Sequence, residues 1–250
     1  MKKVLITGCS SGFGLETARY FLDQGWSVIA TMRTPKADIL PLSPHLRILP
    51  LDVTDTASIR NAMADAGPID ALVNNAGIGW LNALEGTPLD IAREIFETNT
   101  LGTISMMHAV LPQFRARRAG VIVNVTSTVT LKPLHLLSVY TASKAAVNAL
   151  TEVLALELAP FNVRVRIVLP GRAPETSFGQ NARARMASAG GVAEPYAELA
   201  NSVFEKWAQD NGPVTRQMDV AEAIWRAVTD ETAPMRIPAG ADAVALASVQ

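Results

Sequence analysis

Cysteine is almost missing from this chain. Cys9 is the only one in 250 residues, so no internal disulfide can form, and a lone thiol fits a reducing compartment. Histidine is scarce as well. His45, His108 and His135 stand far apart, with no i, i+4 pairing and no acidic cluster beside them, so a metal site is not expected. Neither sign of charge dominates. The 22 Lys and Arg against 23 Asp and Glu leave a net charge of -1 and no basic stripe, which argues against a nucleic-acid partner. No apolar run reaches the roughly 18 residues a membrane span needs. The start, Met1-Lys2-Lys3-Val4-Leu5-Ile6, imitates the opening of a signal peptide, but Thr7 and Gly8 stop the apolar run short of a signal core. The expectation is a soluble, cytoplasmic protein. What the chain does have is core material, 49% hydrophobic against 18% charged residues, which suits a large buried core. With no repeat and no composition break, one α/β domain over residues 1–250 is expected.

Val4-Leu5-Ile6 suits a strand buried on both faces. It runs into Thr7-Gly8-Cys9-Ser10-Ser11-Gly12-Phe13-Gly14 and then a helical stretch from Leu15 to Gln24, closed by Gly25. Glycines between a strand and a helix allow a sharp turn and close approach of a ligand. The helix start offers free N–H groups and a positive dipole end, which suits a pyrophosphate. The same residues match G-x-S-x-G, the nucleophile elbow of α/β-hydrolases, with Ser10 as nucleophile. Only seven residues precede Gly8, too few for the strand and loop that complete an oxyanion hole, so the hydrolase is a remote alternative. Cys9, in the same turn, reads as a spectator.

The second strand is Ser27 to Thr31, and its tip would read a ribose. It carries Arg33 and no carboxylate, which favours a 2′-phosphate, and hence NADP over NAD. Prolines 35, 41 and 44 argue against a crossover helix. A third strand, Leu46 to Leu51, leads to Asp52-Val53. Asp52 can meet adenine or cap the helix starting near Thr54 or Asp55. Asp70 to Val73 forms strand four, ending in Asn74-Asn75-Ala76-Gly77, where small residues admit a flat ring. Asn99 and Gly102 fall inside a long helical stretch from Pro88 to about Arg118, and a local irregularity is expected near Asn99. Strand five, Val121 to Val125, leads to Thr126-Ser127-Thr128. The apolar stretch Leu131 to Val139 can line a hydrophobic pocket. Tyr140 then opens a helix reaching about Ala159, with Lys144 one turn on and on the same face. An ammonium beside a phenol lowers its pKa, which equips the tyrosine for proton exchange with an alcohol or ketone. Strand six, Val163 to Leu169, is broken by Pro170-Gly171. An insertion at about 172–213, helical from Val192 to Gln209, reads as a substrate lid. Asp219 is expected to cap a last helix, Val220 to Thr229, before a short strand at Met235 to Pro238.

Together these motifs resemble the short-chain dehydrogenase/reductase family over nearly the whole chain. The likeness rests on the loop Thr7 to Gly14, Asp52, residues 74 to 77, the set Asn99, Ser127, Tyr140 and Lys144, and Pro170-Gly171. It implies a single-domain Rossmann-type, doubly wound α/β sheet of about seven parallel strands with helices on both faces. It also implies an NAD(P) cofactor, NADP(H) being favoured here by Arg33. Cofactor contacts are expected from Gly8, Ser10, Ser11, Gly12, Phe13, Gly14, Arg33, Asp52, Val53, Asn75, Ala76, Gly77, Tyr140, Lys144, Pro170, Gly171 and Thr176. The resemblance further gives Lys144 a bond to the nicotinamide ribose, Asn99 a water linking Lys144 to solvent, and Thr176 a bond to the carboxamide. Three departures stand out. Thr130 occupies a position where glycine is common. Glu175 stands where a threonine is expected, with Thr176 one later. The tail Arg236 to Ala243 resembles the steroid- and retinol-dehydrogenase-like branch and lacks a glycine-rich terminus.

The expected activity is an NADP(H)-dependent oxidoreductase interconverting a ketone and a secondary alcohol, a carbonyl reductase in which Tyr140 donates the proton and Ser127 holds the substrate oxygen. Trp80, Thr128, Leu134, Leu137, Val139 and Phe178 suggest an apolar or aromatic ketone. A homo-oligomer, dimer or tetramer, is expected. The alternative class is a non-catalytic NADP-binding regulator, which would not need a proton donor.

Overall fold

The computed structural model describes residues 1–36 and 38–248. Ala37, in the proline-bearing stretch, and Val249 and Gln250 lie outside the described residues. Seven parallel strands form one sheet: β1 (Lys3–Ile6), β2 (Ser27–Met32), β3 (Leu46–Pro50), β4 (Ala71–Asn74), β5 (Gly120–Val125), β6 (Val163–Pro170) and β7 (Arg236–Ala239). Their order is β3-β2-β1-β4-β5-β6-β7. Successive residues point to opposite faces. Val4 and Ile6 therefore enter one core with Phe21, Val28 and Ile224, while Leu5 enters the other with Ile29, Leu72, Met106 and Ile122. Helices α1 (Gly12–Asp23) and α8 (Gln217–Thr229) cover the first face. Helices α2 (Thr56–Ala66), α4 (Gly102–Arg117) and α5 (Ser138–Leu158) cover the second. The doubly wound sheet of seven parallel strands that the family resemblance implies is the one observed.

Local chemistry explains most boundaries. Pro50 is tolerated because β3 is the edge strand. No helix joins β2 to β3 among the described residues, as the prolines there require. Asp55, whose carboxylate accepts from the Ala57 N–H at 2.7 Å, caps α2; Asp52 does not. Helix α3 (Leu89–Phe96) passes into a π-helical turn, Glu97–Leu101, before α4, so the irregularity expected at Asn99 is real. Gly102 then leaves room for Val53, whose Cγ2 would lie 2.7 Å from an added Cβ.

Some expectations need correction. Strand β4 sits one residue later than Asp70 to Val73. Helix α6 (Phe178–Ser188) precedes α7 (Ala197–Gln209) in the 172–213 segment, and α9 (Ala241–Ala247) follows β7; neither α6 nor α9 was foreseen. Arg216, not Asp219, is the N-cap of α8. Asp219 sits at the third helical position and accepts the Arg216 N–H at 2.8 Å. No described helix is long and apolar enough to cross a membrane, and no described cluster of His, Cys, Asp and Glu could hold a metal ion.

Candidate active site

Parallel strands place all their carboxyl ends on one side, and the residues singled out above gather there. The loop from Thr7 to Ser11 links β1 to α1. Gly8 and Gly12 adopt positive φ of 75° and 59°, which favours glycine. Gly14 is required for another reason: a Cβ there would strike the Gly8 carbonyl and come 2.5 Å from Asn75 Nδ2. That amide donates to the carbonyls of Thr7 at 2.9 Å and Gly8 at 3.2 Å. Thr7 Oγ1 in return accepts the N–H groups of Asn75 and Ala76. The Asn75-Ala76-Gly77 run is thus fastened to the glycine loop. Asn74 turns the other way, into a buried chain in which it donates to Asn124 and Asn124 donates to Thr151, each at 2.8 Å.

This loop fits a dinucleotide. The Ser11 side chain caps nothing and the first turn of α1 has no acid, so its amides stay available to an anion at the positive end of the helix. Thr176 lies over the loop, with its methyl 3.7 Å from an added Gly12 Cβ; its hydroxyl donates to the Ala173 carbonyl. Arg33 is exposed and makes no hydrogen bond or ion pair among the described residues, though its charge acts on Asp52. Burial pushes the Asp52 carboxyl up, but the Thr54 amide and hydroxyl and the Arg33 charge outweigh it and hold it below its ordinary value. Pro170 ends β6. Gly171 has no space for a side chain because the Asp242 carboxylate, which accepts the Arg172 N–H at 2.6 Å, fills it.

Asn99 and Lys144 meet beside Gly77, and the Ser127 side chain acts on the Tyr140 phenol. Asn99 Oδ1 and Lys144 Nζ would lie 3.2 and 3.3 Å from a Cβ on that glycine. Asn99 grips the Ile78 backbone through both its oxygen, at 2.8 Å, and its nitrogen, at 3.0 Å. Its nitrogen also donates to Ser143 Oγ, and Ser143 Oγ donates to the Tyr140 carbonyl. The π-turn is what aims this amide inward. Ser143 was not singled out from the sequence; its place one residue before Lys144, on the buried face, was the available signal.

Burial pushes the Tyr140 phenol well above its ordinary pKa, and a hydrogen bond with Ser127 offsets part of that rise. The expected lowering by Lys144 is therefore not what this structure shows: burial dominates, and the phenol is held protonated. Lys144 is itself buried, and desolvation pulls it down to about 8. Its ammonium donates to the Val125 carbonyl at 3.0 Å and has two further protons to offer.

The residues expected to line a substrate pocket divide. Phe178 packs on Tyr140, with ring centroids 5.6 Å apart, and on Gly79, where a Cβ would come within 2.8 Å of its ring. Trp80 and Val139 are instead core residues, clustered with Ile95, and the Trp80 indole donates to Thr87. Leu134 is exposed and borders a separate cleft of about 240 Å³ with Leu199, Val203 and Trp207. Thr128 and Leu137 are half-buried. Ser10 is exposed, and no imidazole bonds it, so the hydrolase alternative has no base among the described residues. Cys9 is buried, bonded to the Ile6 carbonyl, and desolvation pushes its thiol up to about 12, as suits a spectator.

A family model described as short chain dehydrogenase matches residues 2–187. The chain belongs to the short-chain dehydrogenase family. Among the curated relatives of this short-chain dehydrogenase, the 3-ketodihydrosphingosine reductase of Bacteroides thetaiotaomicron is 36% identical over 95% of the chain and 87% of its own length. Retinol dehydrogenase 8 of Bos taurus is 38% identical over 68% of the chain and 58% of its own length. Among solved structures, a short-chain dehydrogenase from Streptomyces avermitilis superposes with a TM-score of 0.81 at 31% identity, covering 100% of this chain and 92% of that one. The closed form of a serine dehydrogenase complexed with NADP+ gives 0.77 at 29% identity, covering 95% and 94%.

Proposed function

We propose that this short-chain dehydrogenase interconverts a ketone and a secondary alcohol with NADP(H), as a carbonyl reductase for apolar or aromatic ketones. The observation that carries the reading is a buried, protonated Tyr140 phenol on which Ser127 acts, one helical turn from the buried Lys144 ammonium beside Gly77. One relative is named a reductase of a keto compound and the other a dehydrogenase of an alcohol, which supports chemistry at such a carbon. When bound, the nicotinamide supplies the hydride. Ser127 and Tyr140 bind the substrate oxygen, and Tyr140 releases its proton to that oxygen as it gains charge. Lys144 would turn its remaining donors to the nicotinamide ribose, and its charge offsets that left on Tyr140. Asn99 Oδ1 and Lys144 Nζ both border Gly77, and a water held between them would lead protons in from solvent.

The glycine loop would hold the pyrophosphate, Asp52, with Oδ1 taken by Thr54, would have its other oxygen for the adenine, and Arg33 would pair with the 2′-phosphate. The 172–213 segment acts as a lid of the single domain, with Phe178 at its hinge end excluding water from Tyr140. The exposed strip Ala142, Ala145, Ala149, Val153 and Leu156 on α5 provides the surface for a homo-oligomer in the cytoplasm. The test is NADPH absorbance over a panel of aliphatic, aryl and steroid ketones, with Arg33→Ala alongside. We expect turnover on apolar ketones and an affinity loss of about tenfold or more for NADPH, with NADH little changed. Equal losses on both cofactors would remove the 2′-phosphate role, and no turnover on any ketone would remove the reductase.

A further inference from the structure

A short 3₁₀ turn, Thr128–Thr130, follows β5 and holds Ser127 by its backbone. Thr130 Oγ1 donates to the Ser127 carbonyl at 2.8 Å, and the Thr130 N–H reaches the same oxygen at 3.3 Å. Asn148 Nδ2 then donates to Thr130 Oγ1 at 2.9 Å. A hydroxyl has one proton to give. Thr130 directs it to Ser127, so its oxygen can only accept from Asn148, and this sets which way the amide points. Asn148 Oδ1 is consequently left with no partner, although the residue is only 4% exposed. An unpaired buried acceptor is costly, and an apolar side chain would avoid that cost. What the amide contributes here is its donor alone. Asn148 stands one helical turn beyond Lys144 and two beyond Tyr140, and all three are buried on α5. The chain Asn148–Thr130–Ser127 therefore ties the serine to the helix that carries the tyrosine.

We propose that Thr130 and Asn148 are positioning residues that hold the Ser127 hydroxyl against the Tyr140 phenol by locking the Ser127 peptide to α5. A glycine at position 130 could give only the backbone bond, so the bridge is a property of this chain's Thr130 rather than of the fold. The proposal rests on the reading of Ser127 and Tyr140 as the carbonyl-binding pair.

The experiment is steady-state ketone reduction by Thr130→Val, Thr130→Ser, Asn148→Leu and the double variant Thr130→Val/Asn148→Leu. Ser127→Ala and Tyr140→Phe serve as controls, with NADPH affinity read by fluorescence titration and folding by circular dichroism. Losing a hydrogen bond that orients Ser127 should lower kcat about tenfold in Thr130→Val, with NADPH affinity unchanged. Thr130→Ser should restore kcat, and the double variant should lose little more than Thr130→Val, because the two residues act as one device. Controls without turnover beside a Thr130→Val that keeps its kcat would overturn the proposal and spare the site. A Thr130→Ser that fails to rescue, or losses that simply add, would also overturn it. Controls that retain turnover would overturn both. If Thr130→Val does not fold, Asn148→Leu decides: a lower kcat at unchanged NADPH affinity supports the bridge, and an unchanged kcat overturns it.

Discussion

The glycine loop and the 172–213 segment meet where Thr176 packs over Gly12, yet they are held by different kinds of contact. The loop is set by part-buried bonds to backbone groups: Asn75 donates to the Thr7 and Gly8 carbonyls, and Thr7 Oγ1 accepts from the Asn75 and Ala76 N–H groups. The segment is fixed largely at its surface. Arg185 bridges to both oxygens of Glu94 at 2.6 and 2.7 Å, Tyr196 donates to Glu85, and Asn82 donates to the Gly191 carbonyl. Ala200 and Val203 of the segment also join a small apolar cluster with Ala83 and Leu136. Part-buried bonds to the backbone fix atoms to a fraction of an ångström, as a cofactor needs. Exposed ion pairs are worth little and break readily, which suits the proposed lid.

The largest effect should come from disturbing the rigid side. In Gly14→Ala the new methyl meets the Gly8 carbonyl, which cannot yield without moving the whole loop. Overpacking of this kind costs about 1–3 kcal/mol, and cofactor affinity should fall about a hundredfold or more; thermal unfolding and NADPH titration measure the two. A methyl that is accepted with no loss would mean the loop is as adaptable as the outer segment.

An effect on stability alone, with no loss of affinity at stake, tests the burial of Lys144. Its folded pKa of about 8 lies below its ordinary 10.5. Below pH 8 both folded and unfolded states carry the charge, and the folded state bears the full cost of burying it. Between about 8 and 10.5 the folded protein sheds the proton first, so the cost is relieved and stability rises with pH. Lys144→Met should therefore stabilise the cofactor-free protein by up to about 3 kcal/mol at pH 7, with the advantage fading towards pH 10.5. Urea melts of both proteins across that range would reveal a flat difference if the lysine were solvated.

The smallest effect belongs to the outer segment. Removing the half-exposed Arg185–Glu94 pair by Arg185→Ala should cost less than about 1 kcal/mol of stability and leave NADPH affinity unchanged. Ketone KM should rise about twofold to threefold, and the wild-type value should move the same way in high salt. A loss as large as that from Gly14→Ala would erase the distinction between the two regions.

The same distinction explains what could be read from the sequence. The shared face of Tyr140 and Lys144, the glycine turn before α1 and the irregularity at Asn99 were legible because each is set by residue types at fixed spacing on a single element. Helix α6 was not, because Phe178–Ser188 has no strong apolar stripe and takes its place from Gly79, Glu94 and Tyr140. Trp80 was misplaced for the same reason. Its neighbours Ile95, Val139 and Met186 come from three distant elements, and nothing local says that the indole faces inward. The tyrosine's electrostatics were misjudged because a four-residue spacing shows a shared face but not how dry that face is. The Thr130–Asn148 bridge spans 18 residues and two elements, which no spacing rule covers.

A Tyr140 phenol that serves as the proton donor is needed for turnover far more than for holding the cofactor. Tyr140→Phe keeps the ring against Phe178 and removes only the hydroxyl. With NADPH and a ketone that the wild type reduces, turnover should fall about a thousandfold or more while the NADPH dissociation constant stays within about twofold. A Tyr140→Phe protein that keeps most of its turnover would contradict the account.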